Sequence, residues 1–413
     1  MKLVPAMIVA ASSVLLSAQA PPVFSLGIKA ALEGFEKGAY FEANETLAAL
    51  AFAPDGKVRD HMAFGLWAQF STLLTNELDP DAMARGGHAS KPDPTWVKRL
   101  SPAKPHDAIE EIVARARKTN IVILNEAHNS PRDRAFALRV ARALRPLGYK
   151  TLAAETLSHT VPETGLSATD QLKRDGFVRF NTGGYTIDPV FARFIREALA
   201  LGYEPVGYEQ TNAQKRPGSG IPEREQAQAD NLMQKIFSAR PKEKVLIFVG
   251  HAHAAESPLV GASGNRTEWM AARLKRMTGV DPLTIDQTSV TDTRGAREAY
   301  AMASARIGKA SAVFFEGAKP LVLGSYAGSV DLQVIHPRRS YRSGRLTWLT
   351  ELGGKQITIP GRLLPTRGRR LIQVFAADAP SDAVPLDQVL VDSTSSAPML
   401  FATAGPVRFA TQQ

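Results

Sequence analysis

The chain has 413 residues, 44% hydrophobic and 22% charged, enough for more than one packed core and too apolar for wholesale disorder. Its formal net charge is +10, and between Asp331 and Arg370 nine Lys/Arg stand against two acids, a basic excess that suits a solvated face or an anionic partner. There is no cysteine, which excludes disulfides, a thiol nucleophile and thiolate-bound metal, and no nucleic-acid motif accompanies the charge, so no nucleic acid is expected.

Residues 1–20 read as an export signal. Lys2 supplies a positive start, Leu3 to Leu16 is apolar or small, and Ala18-Gln19-Ala20 offers a small-x-small cleavage site before Pro21-Pro22. The expectation is a periplasmic or secreted protein whose charge falls from +10 to +9 as Lys2 leaves. No later stretch is long and apolar enough for a transmembrane helix.

Residues 21–104 are expected to form a helical region and a linker. Ile28, Leu32 and Phe35 recur at helical spacing, as do Phe41, Leu47 and Leu50, then Met62, Leu66, Phe70 and Leu73. Gly38 and Pro54-Asp55-Gly56 break the runs. Arg85 to Lys104, rich in Gly, Pro, Ser and Lys, predicts the linker.

Residues 105–327 predict an α/β core, a mainly parallel sheet with helices on both faces. An amphipathic helix over Asp107–Lys118 precedes apolar runs at Ile121–Leu124, Tyr149–Ala154, Glu204–Tyr208, Lys244–Val249, Leu283–Asp286 and Ala312–Phe315. Helical patterns intervene at Arg134–Leu147, Pro189–Leu201, Pro222–Ala239, Thr267–Met277 and Ala296–Ile307. Unbroken apolar runs suit strands buried on both faces, and their alternation with helices implies parallel pairing. Residues 328–413 predict a small β-rich module, with strands at Asp331–Ile335, Leu346–Leu349, Gln356–Ile359, Leu371–Ala376, Gln388–Val391 and Val407–Ala410.

Ligands of open parallel sheets bind beyond the carboxyl ends of the strands. Those ends carry Asn125-Glu126-Ala127-His128, Glu155, Glu209, Gly250-His251-Ala252-His253, Asp286 and Glu316. Imidazoles and carboxylates at one edge can hold a divalent ion such as Zn or Mn, with Glu126, His128, Glu155 and His253 as ligands. The same four, without metal, can serve as general base and orienting carboxylate, the base being Glu126 or Glu155. Arg132, Glu209 and His251 are expected to contact substrate, and Arg134 stands beside Arg132 at the start of the helix. The long connection from Thr156 to Asp188, with His159, Asn181 to Gly184 and Tyr185, predicts a partly helical lid. No G-x-S-x-G elbow, Walker loop or dinucleotide fingerprint is present.

The motifs Asn125-Glu126-Ala127-His128, Glu155 and Gly250-His251-Ala252-His253 resemble those of the superfamily that joins erythromycin esterases, TIKI/TraB proteases and ChaN-like haem-binding proteins. Arg224-Glu225, heading the helix before the last motif, is similar to that family's arginine-headed helix. The resemblance spans about Pro105 to Gln287, with Asn125 where a glycine is usual. It implicates Glu126, His128, Glu155 and His253, with Glu209 less securely matched. It implies hydrolysis of a small-molecule or peptide ester or amide, with or without metal. The alternatives are a periplasmic haem or iron carrier using the same residues, and an interaction module with neither activity.

Overall fold

The computed structural model describes residues 25–78, 93–163, 165–261, 264–292, 296–394, 397–403 and 405–413. The expected export signal and much of the expected linker lie outside the described residues.

Helices Leu26–Glu36, Tyr40–Ala51, His61–Phe70 and Thr72–Thr75 form the N-terminal region. Ser25 caps the first by accepting from the Ile28 amide, and its buried stripe of Ile28, Ala31, Leu32 and Phe35 is what the spacing requires. Phe35 stacks on Phe70 with ring centres 4.6 Å apart. The Tyr40 hydroxyl donates to the Ile187 carbonyl at 2.7 Å, docking the bundle on the α/β core.

The core is a nine-stranded sheet of β1 (Lys104–Asp107), β2 (Ile121–Glu126), β3 (Thr151–Ala154), β4 (Glu204–Gly207), β5 (Val245–Gly250), β6 (Leu283–Asp286), β7 (Ala312–Glu316), β8 (Lys319–Pro320) and β9 (Leu332–Ile335). Their order is β1-β7-β9-β6-β2-β5-β3-β4, with β8 paired to β7. Every pair from β9 to β4 is parallel. All residues of β2 and β5 are buried, and alternate ones enter different cores. Val122 and Leu124 pack with Phe136, Leu138 and Phe191, whereas Ile121 and Ile123 pack with Ile247, Leu232 and Leu274. A strand covered on both faces must be apolar throughout, which is the pattern read from the sequence.

Four expectations need correction. β7 is antiparallel to β9 and β1. A parallel β7–β9 pair would need a long crossover, and the stretch between them holds only β8 and the short 3-10 turn Gly324–Tyr326. The Asp331–Ile335 run, expected in the C-terminal module, supplies β9, which sits between β7 and β6. Leu346–Leu349 is not one strand: Leu346 ends the two-residue strand Arg345–Leu346, paired with Tyr341–Arg342, and the rest lies in the 3-10 segment Thr347–Leu352, which buries Trp348, Leu349 and Leu352. Within the expected linker, Pro94–Leu100 is a helix capped by Asp93.

The C-terminal strands form small antiparallel sheets. Lys355–Thr358 pairs with Met399–Ala402, and Arg369–Ala376 lies between Asp387–Asp392 and Val407–Gln412. No helix among the described residues is long and apolar enough to cross a membrane.

Candidate active site

The parallel register sets Glu126, the last residue of β2, beside Gly250, the last of β5. Glu155 follows β3, and its amide donates to the Phe248 carbonyl of β5 at 3.1 Å. Three adjacent strand ends thus deliver the acids and histidines to one place.

Two carboxylate–histidine pairs result. His128 donates Nδ1–H to Glu126 Oε1 at 3.1 Å. Both Glu126 oxygens also face Arg134, whose Nε donates to Oε2 at 2.6 Å. Arg134 is 1% exposed and further donates to Asp188 at 2.6 Å and to the His128 carbonyl at 2.9 Å. This guanidinium therefore holds both the Glu126 side chain and the backbone of its histidine partner. On the open side, the Tyr185 ring stacks on His128 at 4.1 Å and His251 meets it edge-on at 5.1 Å.

In the second pair, His253 donates Nδ1–H to Glu225 Oε2 at 2.8 Å. Glu225 is fully buried on helix Ile221–Leu232 and also accepts from the Met270 amide. His253 Nε2 lies 3.4 Å from Glu155 Oε1. Burial works against charge on His253, but Glu225 and Glu155 outweigh it and lift its pKa to about 10. Burial likewise opposes the Glu155 charge, yet His253 and Arg224 hold its carboxyl well below the usual range.

Arg224 ties these groups together. It donates to Glu155 Oε1 at 2.5 Å and to both oxygens of Glu209, and its Nη1 lies 3.3 Å from His253 Nε2. The other Glu155 oxygen accepts from the Gly250 amide at 2.6 Å. Tyr185, His251, Arg224 and Glu209 are half-buried and form the rim, while Glu126, His128, Glu155 and His253 lie beneath.

Of the residues singled out from the sequence, Glu126, His128, Glu155, Glu209, His251 and His253 come together. Arg132 does not. Its guanidinium pairs with Glu351 at 2.9 Å, 5.7 Å from the Trp348 ring centre. Its neighbour Arg134 does reach the cluster, as a buried partner of Glu126 and Asp188. Asp286 is fully buried but structural, accepting from Asn125, Thr288 and Gln333. Glu316 ends an antiparallel strand, so it lies at the opposite edge, paired with Arg99 at 2.8 Å. His159 turns away to the Glu209 carbonyl.

The connection from Thr156 to Asp188 supplies Tyr185 and Asp188 to the cluster. It carries one helix, Ala168–Asp175, and buries Leu172 and Val178 in the main core, so it is an anchored wall rather than a free flap. Glu225 and Asp188 were not anticipated as partners. The legible signal was a charged residue on a buried helix face: Arg134 shares its stripe with Leu138 and Ala141, and Glu225 with Gln228, Ala229 and Leu232.

The donor set does not fit a divalent ion. Glu126 and Glu155 are each already bound by a guanidinium, and His253 Nε2 has Arg224 beside it, so an added cation would meet like charge. No grouping of three or more His, Asp or Glu suited to a metal occurs among the described residues. His336, which borders a cavity beside the cluster, is engaged by Ser311 and Gln287.

No protein-family model and no curated protein sequence matches the chain. Solved structures do, at low identity. One is described as bacterial protein toxins, with 15% identity, a TM-score of 0.34, and coverage of 63% of this chain and 57% of that one. Another is RRSP, a MARTX toxin effector domain from Vibrio vulnificus, with 16% identity, TM-score 0.31 and coverage of 59% and 54%. A third is the C-terminal region of Pasteurella multocida toxin, with 13% identity, TM-score 0.33 and coverage of 61% and 37%. The chain thus spans 57% or less of the length of these three structures, and likeness at such scores carries no functional argument.

Proposed function

We propose that this chain is a hydrolase of the erythromycin esterase, TIKI/TraB and ChaN-like superfamily, cleaving an ester or amide with water activated by histidine and without a divalent metal. What carries the reading is the convergence of the pairs Glu126–His128 and Glu225–His253 on adjacent strand ends, with Glu155 and Arg224 between them.

The chemistry follows from which nitrogens remain free. Neither Glu126 nor Glu155 is placed to act as base, since the oxygens of both are engaged by arginine, histidine or the Gly250 amide. The base is therefore His128. In its neutral form Nδ1–H donates to Glu126, and Nε2 takes a proton from water. The water oxygen bonds to the carbonyl carbon, and the carbonyl electron pair moves to oxygen. Protonated His253 and Arg224 supply N–H groups for that oxyanion. Its collapse breaks the C–O or C–N bond, and the proton on His128 Nε2 passes to the leaving atom. Glu126 and Glu225 hold the two rings in orientation, and Arg134 positions Glu126.

The test is turnover of chromogenic esters and anilides by the purified chain. His128→Ala should lower kcat by roughly 10²–10⁴-fold, and His253→Ala by roughly 10²–10³-fold, each with an unchanged circular dichroism spectrum. Full activity in both variants would defeat the assignment. A chelator should leave the rate unchanged; loss that Zn or Mn restores would overturn the metal-free mechanism.

A further inference from the structure

A cavity of about 820 Å³ opens on the β6–β9 side of the histidine cluster, at the same sheet edge. Its size falls within the roughly 300–1,000 Å³ of small-ligand sites. Ala127, Asn129 and Ser130 after β2, with the first turn of the following helix, form one wall, Thr288 beyond β6 and His336 beyond β9 border it, and Tyr300 and Trp348 add aromatic surface.

Six basic side chains line it: Arg132, Lys309, Arg338, Arg339, Arg342 and Arg345. Three are neutralised locally. Arg132 pairs with Glu351, Arg339 with Glu77 and Asp292, and Arg345 with Asp387. The other three are exposed. Arg338 donates only to neutral acceptors, the Ala301 carbonyl and the Ser304 hydroxyl. Lys309 and Arg342 have no carboxylate partner among the described residues. Among the lining acids, Asp133 is held largely protonated near neutrality, its pKa lifted to about 8 by burial above all. Positive charge in a concave, low-dielectric site focuses attraction on anions.

We propose that this cavity binds a small, multiply charged anion, its acidic groups taken by Lys309, Arg338 and Arg342 and its remaining surface packed against Trp348 and Tyr300. The inference does not depend on the hydrolase reading, since none of Glu126, His128, Glu155 and His253 lines the cavity.

Calorimetric titration with inorganic pyrophosphate, and separately with citrate, tests it. At about 0.15 M salt at least one should bind saturably, and more weakly as salt rises. The triple variant Lys309→Ala/Arg338→Ala/Arg342→Ala should weaken binding by roughly tenfold or more. Lys355→Ala/Arg362→Ala/Arg367→Ala, which removes equal charge from residues outside the cavity, should bind as the parent does, and so should His128→Ala. Should the triple variant fail to fold, Lys309→Ala alone, at an exposed position, should still weaken binding measurably. No saturable binding of either anion up to about 10 mM, or equal loss in the two triple variants, would overturn the proposal.

Discussion

Gly250 has φ −80°, so its backbone suits any residue; what forbids a side chain there is space. A Cβ would lie 2.4 Å from His128 Cε1 and 2.7 Å from Nε2. Gly250→Ala must push the imidazole out of its Glu126 contact. We expect turnover to fall by roughly 10²-fold or more with the fold retained; a fully active variant would show that His128 is not held against this strand end. Arg134 makes the opposite point, about stability. Arg134→Met leaves Glu126 and Asp188 buried without their cation, and should cost about 3–5 kcal/mol in urea unfolding. A loss under about 1 kcal/mol would mean that these acids find other partners or take up protons. Neither role was readable locally. A charge in the first turn of a helix is ordinarily solvated, and only the docking of Pro131–Leu144 under β2 makes Arg134 a buried clamp.

The strands are where sequence reading reached furthest. Apolar runs without alternation at β2, β3, β5 and β6 could only be strands covered on both sides, and parallel crossovers send all their carboxyl ends to one edge. That logic brought Glu126, His128, Glu155, Glu209 and His253 together correctly, and it failed at β7 because chain direction there is set by where β9 inserts. β5 sits between β2 and β3, buried along its whole length. Phe248 is 2% exposed and meets Phe191 and Phe194 edge-on at 5.4 and 5.3 Å. Phe248→Ala should destabilise by about 3–5 kcal/mol. Because the Phe248 carbonyl also anchors Glu155, turnover should drop at temperatures where the variant is still folded; unaltered stability would refute this account of the core.

At the level of the whole molecule, the cluster couples folding to pH. Glu225 and Glu155 raise the His253 pKa to about 10 in the folded state, against about 6.5 for a free imidazole. A raised pKa means that the folded state binds the proton more tightly. The resulting stabilisation is complete below about pH 6.5, declines as pH rises, and is gone above about pH 10. Asp133, raised by burial to about 8, acts in the same direction, its contribution falling from about pH 4 to 8. Urea midpoints should therefore decline from about pH 6 to pH 10, with a shallower slope in His253→Gln. A slope identical to the parent's would remove His253 from the linkage.

What the sequence determined alone was the parallel strands β2 to β6, the helices between them and the residues at their ends, because each rests on short-range periodicity; it missed the edge strands β1 and β8. Tertiary structure decided which charge meets which. Arg134 reaches Asp188 across 54 residues, Arg224 reaches Glu155 across 69, and His253 finds Glu225 across 28. Such pairings depend on strand order and on how helices dock, which no local pattern encodes. A buried charge must be matched by whichever partner the fold brings near, and here arginines engage the carboxylates of Glu126 and Glu155 while His128 turns Nδ1 to Glu126.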